Sequence, residues 1–290
     1  MTAPKSPRID VEWCAFRAGL KPALRLSAAP DEADAIAARY RAGGAWIAMS
    51  EPVALRERVT RLVYVAGTER GAALLVQLER RLLNAPSRRA QREASLELGY
   101  RLGYPRCCVE GFVYRNHGPP SSALASLLAR RLGHDAYKGA RDAWVARPLP
   151  RLNVLFMPAR RGYLSFDPCR YDCELARALA ERTADAVAAE APAAVAEIDA
   201  ELACAAAISA SGARARVVLE RGPKRRLRVA HAEAPRDLDG VASDADARFA
   251  RALVAREVGR RGLVLGGWSF SPPVVVDFAA GGRVPDETAW

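Results

Sequence analysis

The residues in this chain best suited to chemistry are two pairs of cysteines. Cys107 and Cys108 are adjacent within Gly103-Tyr104-Pro105-Arg106-Cys107-Cys108-Val109, and Cys169 and Cys173 lie within Phe166-Asp167-Pro168-Cys169-Arg170-Tyr171-Asp172-Cys173. A proline stands just before each pair, and a helical pattern follows. Proline is preorganised for the first helical position, where its missing N–H forfeits no bond. Pro105 and Pro168 are therefore expected to open helices, with Cys107, Cys108 and Cys169 in first turns. Unsatisfied N–H groups and the helix dipole favour the thiolate there, the form that ligates a metal or attacks an electrophile. Asp167 is a natural N-cap whose negative charge partly opposes that effect.

The spacing narrows the chemistry. Residues four apart share a helix face, so Cys169 and Cys173 are expected to reach one ion or cluster. Adjacent residues diverge by about 100° on a helix, and a polynuclear cluster accommodates Cys107 and Cys108 better than one ion does. The expectation is a four-cysteine centre holding an iron–sulfur cluster of the 4Fe–4S kind, with zinc as the alternative. The repeated C-x2-C of many zinc sites is absent, as is the closely spaced cysteine run of ferredoxins. Two further readings stay open: a metal-free redox or nucleophilic thiol site, and inert core cysteines acting as small hydrophobes. A vicinal disulfide is disfavoured because it strains the intervening peptide. Cys14, beside Trp13 and Phe16, and Cys204, in an alanine-rich stretch, are expected to be core.

The two motifs together resemble a known pattern. Tyr100 to Phe112 resembles the GYP-x-CCV-x-x-F motif of a domain family of unknown function found in archaea and some bacteria. Phe166 to Glu174 is similar to the PC-x-x-DC segment that follows in the same proteins. The resemblance covers about residues 90–185 and implies that the two cysteine motifs belong together. It implies no activity. Some members carry a histidine just before the PC; Ser165, Phe166 and Asp167 stand there in this chain, so that ligand is lacking.

Other residues are weaker candidates. Arg106 and Arg170 flank the cysteines and are candidate contacts for an anionic cofactor or substrate. His117 could serve as a ligand or acid–base group, with a surface histidine as the ordinary alternative. Asp172 and Glu174 could act as a base or hard ligand, with exposed helical acids as the default. Tyr104, Tyr163 and Tyr171 could cover the site. Gly67-Thr68-Glu69-Arg70-Gly71 reads as an ordinary strand-to-helix connection, since it lacks the glycine pattern and lysine of a phosphate loop.

These residues need a scaffold to position them. Half of the 290 residues are hydrophobic, enough for a substantial core. No apolar run is long enough to span a membrane, and Met1 to Asp10 lacks the apolar stretch of a signal peptide. With six cysteines, a reduced cytoplasm is the expected setting. The formal charge is +11; residues 1–150 hold 24 Lys+Arg against 14 Asp+Glu, and most of the excess lies there. That asymmetry fits an anionic partner, RNA or a small anionic substrate, or else a solvated arginine surface.

The pattern predicts irregular chain over 1–30, a helix over Asp31–Arg41 ending at Gly43-Gly44, and a buried strand at Arg61–Ala66. A helix over Gly71–Leu83 and a Ser87-capped helix to about Leu102 follow, the latter with Leu96, Tyr100 and Gly103 on one stripe. Ser121–Leu132 reads as helical, Asn153–Met157 and Gly162–Phe166 as strands. A long helix is expected from Asp167-Pro168 to about Ala189, then an alanine-rich helix from Pro192 to about Ser209. Arg214–Glu220 and Arg225–Ala230 read as a hairpin, followed by a helix at about Ser243–Arg256 and strands at Leu263–Leu265 and Val274–Phe278. The expected fold is α+β: a predominantly helical main domain over 1–210 with a few strands, and a small α+β segment over 213–290. The expected function is a metal-binding protein with a four-cysteine centre. As an enzyme it would transfer electrons or modify an anionic substrate. A zinc-stabilised RNA-binding module and a metal-free thiol redox enzyme are the rival readings.

Overall fold

The computed structural model describes residues 9–55, 58–117, 145–146, 150–152, 162–169, 173–203, 205–208, 214–221, 227–234, 244–253, 257–259, 262–263 and 274–277. The fold is α+β, and helix predominates over strand among these residues. The chain forms two compact units, one of Glu12–Gly118 and one of the remainder. Ser121–Leu132, Asn153–Met157, Arg170, Tyr171, Asp172, His134 and Cys204 lie outside the described residues.

The unit Glu12–Gly118 is built on one strand. β4 (Arg58–Ala66) pairs antiparallel with β1 (Ala23–Ala28), β2 (Trp46–Met49) and β3 (Val53–Leu55). Side chains alternate across a strand, and both faces of β4 are covered, so its apolar run is continuous. Val63 and Val65 face Leu24, Leu26 and Tyr40, with α1 (Val11–Arg17) and α2 (Ala33–Ala42) on that side. Leu62, Tyr64 and Ala66 face Leu75, Leu78, Leu98 and Leu102 of α3 (Glu69–Leu83) and α4 (Arg88–Arg101) with its C-cap. Residues 9–30 are more regular than expected, since α1 and β1 occupy much of them. Short elements of this kind take their stability from packing, and Trp13 stacks on Phe16 and meets the Tyr40 ring edge-on.

The helix ends are set by local chemistry. Thr68 Oγ1 accepts from the Gly71 N–H at 3.1 Å and Ser87 Oγ accepts from the Ala90 N–H at 3.2 Å. Gly67–Gly71 is thus a capped strand-to-helix connection. On α4 the buried stripe is Ala94, Ser95, Leu98 and Leu102, while Tyr100 is exposed. On the stripe through Leu96, Tyr100 and Gly103 only Tyr100 is exposed, and Leu96 and Gly103 are half-buried.

One polar network crosses this core. Glu79 of α3 is buried and accepts from the Tyr64 hydroxyl at 2.6 Å. It also accepts from Arg25 Nε at 2.8 Å and Nη2 at 3.0 Å, a bidentate pair. Burial, and then the Glu79 carboxylate, push the Tyr64 phenol well above its usual range. Burial works to lower the Arg25 guanidinium, but the hydrogen bonds and attraction to Glu79 outweigh it and hold it protonated.

The remainder of the chain carries a seven-stranded sheet ordered β10-β9-β8-β7-β6-β11-β5. Its strands are β5 (Val145–Ala146), β6 (Ala205–Ile208), β7 (Arg214–Arg221), β8 (Leu227–Glu233), β9 (Glu257–Gly259), β10 (Gly262–Leu263) and β11 (Val274–Asp277). The β11–β5 pair is parallel, and the other pairs are antiparallel. This sheet draws strands from both sides of residue 210. The helices are α6 (Glu174–Glu190), α7 (Pro192–Leu202) and α8 (Asp244–Leu253). The alanine-rich helix therefore ends at Leu202 rather than near Ser209, and Ala205–Ile208 is a strand. Pairing on both sides, with β7 and β11, overrides the helix preference of alanine there. Gly162–Phe166 is a bent segment and not a strand. No helix among the described residues is long and apolar enough to cross a membrane.

Glu79→Ala is expected to destabilise the Glu12–Gly118 unit by about 3–5 kcal/mol, because it strands the Tyr64 hydroxyl and the Arg25 charge. Denaturant unfolding measures this. The triple change Glu79→Leu, Tyr64→Phe, Arg25→Met should recover most of the loss.

Candidate metal centre

The first cysteine pair is positioned by a glycine corner. α4 ends in a Schellman motif, with Tyr104 N–H donating to the Gly99 carbonyl at 3.2 Å and Gly103 N–H to that of Tyr100 at 3.0 Å. Gly103 has φ +78°, and a Cβ there would lie 2.4 Å from Pro22 Cδ. Only glycine fits both demands. The neighbouring Lys21 is buried, pairs with buried Glu12 and lies 5.1 Å from the centroid of the Tyr104 ring.

α5 (Arg106–His117) starts immediately after this corner. The N–H groups of Cys108 and Val109 both donate to the Pro105 carbonyl, at 2.9 and 3.0 Å. Pro105 thus marks the start of the helix from the N-cap, one residue before the first helical position expected for it, and Cys107 and Cys108 occupy the first turn. α5 lies close against α4 because residue 99 is glycine; a Cβ at Gly99 would lie 2.7 Å from Val109 Cγ1. Val109 and Val113 are buried on that side. Cys108 is buried with them, and Cys107 is half-buried.

The second pair is held differently from the sequence expectation. Pro168 does not open a helix. It is buried in non-helical chain, Cys169 sits in a bend, and α6 begins only at Glu174 with Cys173 as its N-cap. Cys169 and Cys173 therefore do not share a helix face. Proline's fixed φ suits turns and extended chain as well as a first helical turn, so its presence does not decide between them. Cys173 is extended at φ −64°, ψ 114° and is buried, whereas Cys169 is half-buried.

The segment leading to Cys169 is anchored through Tyr163 and Leu164, both buried. The Tyr163 hydroxyl donates to the Val195 carbonyl of α7 at 3.4 Å. Arg151 lies 5.4 Å from the centroid of the Tyr163 ring and makes a bidentate pair with Asp199 of α7, at 3.0 and 2.7 Å. Burial, and then the nearby Asp199 charge, raise the Tyr163 phenol above its usual range. The hydrogen bond to Asp199 raises the Arg151 guanidinium.

The four thiols meet. The sulfurs of Cys107, Cys108, Cys169 and Cys173 all lie within 4.8 Å of one another. Cys107 Sγ and Cys108 Sγ are 3.9 Å apart, and none of the four is in a disulfide. Four soft thiolate donors at this spacing can hold a metal. Cys107 and Cys108 lie at the N-terminal end of α5, where the helix dipole favours the negative charge of metal-bound thiolates. Cys14, by contrast, is a buried core residue of α1, as its neighbours implied.

The remaining candidates fall as follows. Arg106 is exposed and donates through Nε to Glu110 Oε1 at 2.7 Å, an i,i+4 pair on α5. That hydrogen bond holds the Glu110 carboxyl below its ordinary range, and Tyr100 also donates to it, at 3.3 Å. His117 is the last residue of α5. Glu174 is exposed at the start of α6. The roles of Tyr163 and Arg151 as anchors escaped the sequence reading, because their partners lie on α7 and no local spacing signals them.

Replacing Gly99 by alanine should overpack the α4–α5 contact by about 1–3 kcal/mol, despite alanine's better helix propensity. Thermal unfolding, together with metal affinity measured against a competing chelator, should both fall. Adding Val109→Ala should restore part of each. Compared with protein-family models, with curated proteins and with solved structures, the chain gives no match.

Proposed function

We propose that this is a metal–thiolate protein whose four cysteines, Cys107, Cys108, Cys169 and Cys173, bind one tetrahedral ion, zinc or iron. The observation that carries this reading is the spacing of the sulfurs, all within 4.8 Å of one another. A tetrahedral ion with metal–sulfur bonds of about 2.3 Å holds its ligand sulfurs about 3.8 Å apart. The 3.9 Å separation of Cys107 and Cys108 is already close to that value. A cubane cluster binds each thiolate through a different iron and spreads the sulfurs more widely. Two buried and two half-buried sulfurs also suit a centre that retains its ion yet has an entry path. Bound zinc would be structural; bound iron would supply one-electron redox chemistry. The reading goes with a reducing, cytoplasm-like setting, where paired thiols stay available for metal.

A second reading, an iron–sulfur cluster, is favoured by one specific observation. Cys107 and Cys108 are consecutive on a helical first turn, so their side chains leave the backbone in different directions. The resemblance of both motifs to one archaeal and bacterial family supports their acting together under either reading.

Metal and acid-labile sulfide content, with a visible spectrum, on protein purified without oxygen tests this. One zinc or one iron per chain without labile sulfide is expected. Iron with labile sulfide replaces the first reading with the second, and absence of metal removes both. Each single Cys→Ser change at the four positions should weaken metal binding by more than the roughly 10–100-fold typical of an outer-shell change. The Cys14→Ser change should leave it unaltered.

Binding requires thiolates, so loading releases protons. Lowering the pH protonates the ligands and should weaken the apparent affinity progressively. Chelator competition at a series of pH values measures the slope; a flat profile would argue against thiolate ligation.

A further inference from the structure

The α3–α4 corner carries a charge pattern that the metal centre does not use. Between positions 80 and 106 the sequence has seven arginines against two glutamates, and no acidic residue lies between Arg80 and Arg92. Arg80 and Arg81 close α3, while Arg88, Arg89 and Arg92 open α4, and all five are exposed. A cleft lined by Arg80, Arg81, Asn84, Pro86, Ala90 and Glu93 lies at this corner. Two of the arginines are engaged: Arg81 with Glu97 at 3.2 Å and Arg89 with Glu93 at 2.9 Å. Arg80, Arg88 and Arg92 have no ion-pair partner among the described residues. Like charges gathered this closely repel one another, and a partner with regularly spaced negative charge relieves that repulsion.

The scaffold under these side chains is rigid. Both helices are capped, by Thr68 and Ser87, and both pack into one core. The same outward face of α4 presents an aromatic ring. Arg89 and Tyr100 are eleven residues apart, which places them within about 20° of each other around a helix. Tyr100 is 40% exposed. Along the axis they are separated by about 16 Å, a distance that a few nucleotides of single strand would cover.

We propose that this face, Arg80, Arg88, Arg89 and Arg92 with Tyr100, is a binding surface for single-stranded RNA. The arginines contact successive phosphates, and Tyr100 stacks a base. Arginine with an exposed aromatic fits a single strand better than a duplex, whose bases are already stacked. A small phosphate-bearing molecule would need a few donors converging on one point. Here the charge is spread over the end of α3 and the start of α4, on two separate elements, which suits an extended polyanion. The surface lies wholly within the Glu12–Gly118 unit and does not depend on which metal the cysteines hold.

The test uses the full chain and a fluorescently labelled mixed-sequence 12-nucleotide RNA, followed by anisotropy over a range of salt. Wild type is expected to bind with an affinity that falls steeply as salt rises. The triple variant Arg80→Gln, Arg88→Gln, Arg92→Gln should bind at least tenfold more weakly at low salt. Its salt slope should be shallower by about 2, since each lost single-strand phosphate contact removes about 0.7. Tyr100→Ala should weaken binding about tenfold with little change of slope, as expected for a stacking contact. A matched triple variant elsewhere, Arg182→Gln, Arg248→Gln, Arg251→Gln, controls for net charge and should bind as wild type. Circular dichroism and metal content should be the same for all variants, which separates this surface from the metal centre. Absence of binding at low salt, equal losses in the two triple variants, or preference for duplex over single strand would each overturn the proposal.

Discussion

The backbone at Gly103 is the constraint on which the cysteine motif depends. A positive φ turns the chain out of α4, and the contact with Pro22 leaves no room for a Cβ. That turn sets the direction of α5 and therefore of Cys107 and Cys108 in its first turn. Gly99 completes the arrangement by letting Val109 approach the α4 backbone. Two glycines four residues apart thus do different jobs. One permits a conformation, and the other permits a distance.

Around that corner the structure uses buried charge sparingly and in pairs. Lys21 with Glu12 stands beside the glycine turn, and Glu79 with Arg25 and Tyr64 ties α3 to the sheet. A buried charge without a partner is strongly destabilising, so each of these groups commits its neighbours to fixed positions. The four thiols form a different kind of polar cluster. They lie close together without covalent bonds among them, and a shared metal would turn their proximity into a stabilising interaction.

Much of the local architecture is legible in the residues. The continuous apolar run of Leu62 to Ala66 marks a strand covered on both faces, Thr68 and Ser87 mark helix starts, and Gly103 marks a helix end. Pro105 does mark a helix start, that of α5. Pro168 does not, although the two motifs look alike in sequence. The difference lies outside the motif. Pro105 follows a helix that has just turned at glycine, whereas Pro168 is buried in chain anchored by Tyr163 and Leu164. Ala205–Ile208 misleads for a related reason: alanine favours helix intrinsically, and strand pairing with distant residues overrides it.

The sequence alone singled out the four thiols that the structure brings together, because thiols are rare and the neighbours of the first pair, Pro105 and Gly103, act within a turn of the chain. It also marked where α4 begins and ends, since the Ser87 cap and the Gly103 turn act through hydrogen bonds between near neighbours. Only the tertiary structure decided that the two cysteine pairs meet, that Cys173 caps α6 and that Cys169 lies in a bend before it. Those outcomes depend on contacts between residues far apart in the chain, such as Arg151 with Asp199 and Gly103 with Pro22, and no periodicity within either segment encodes them.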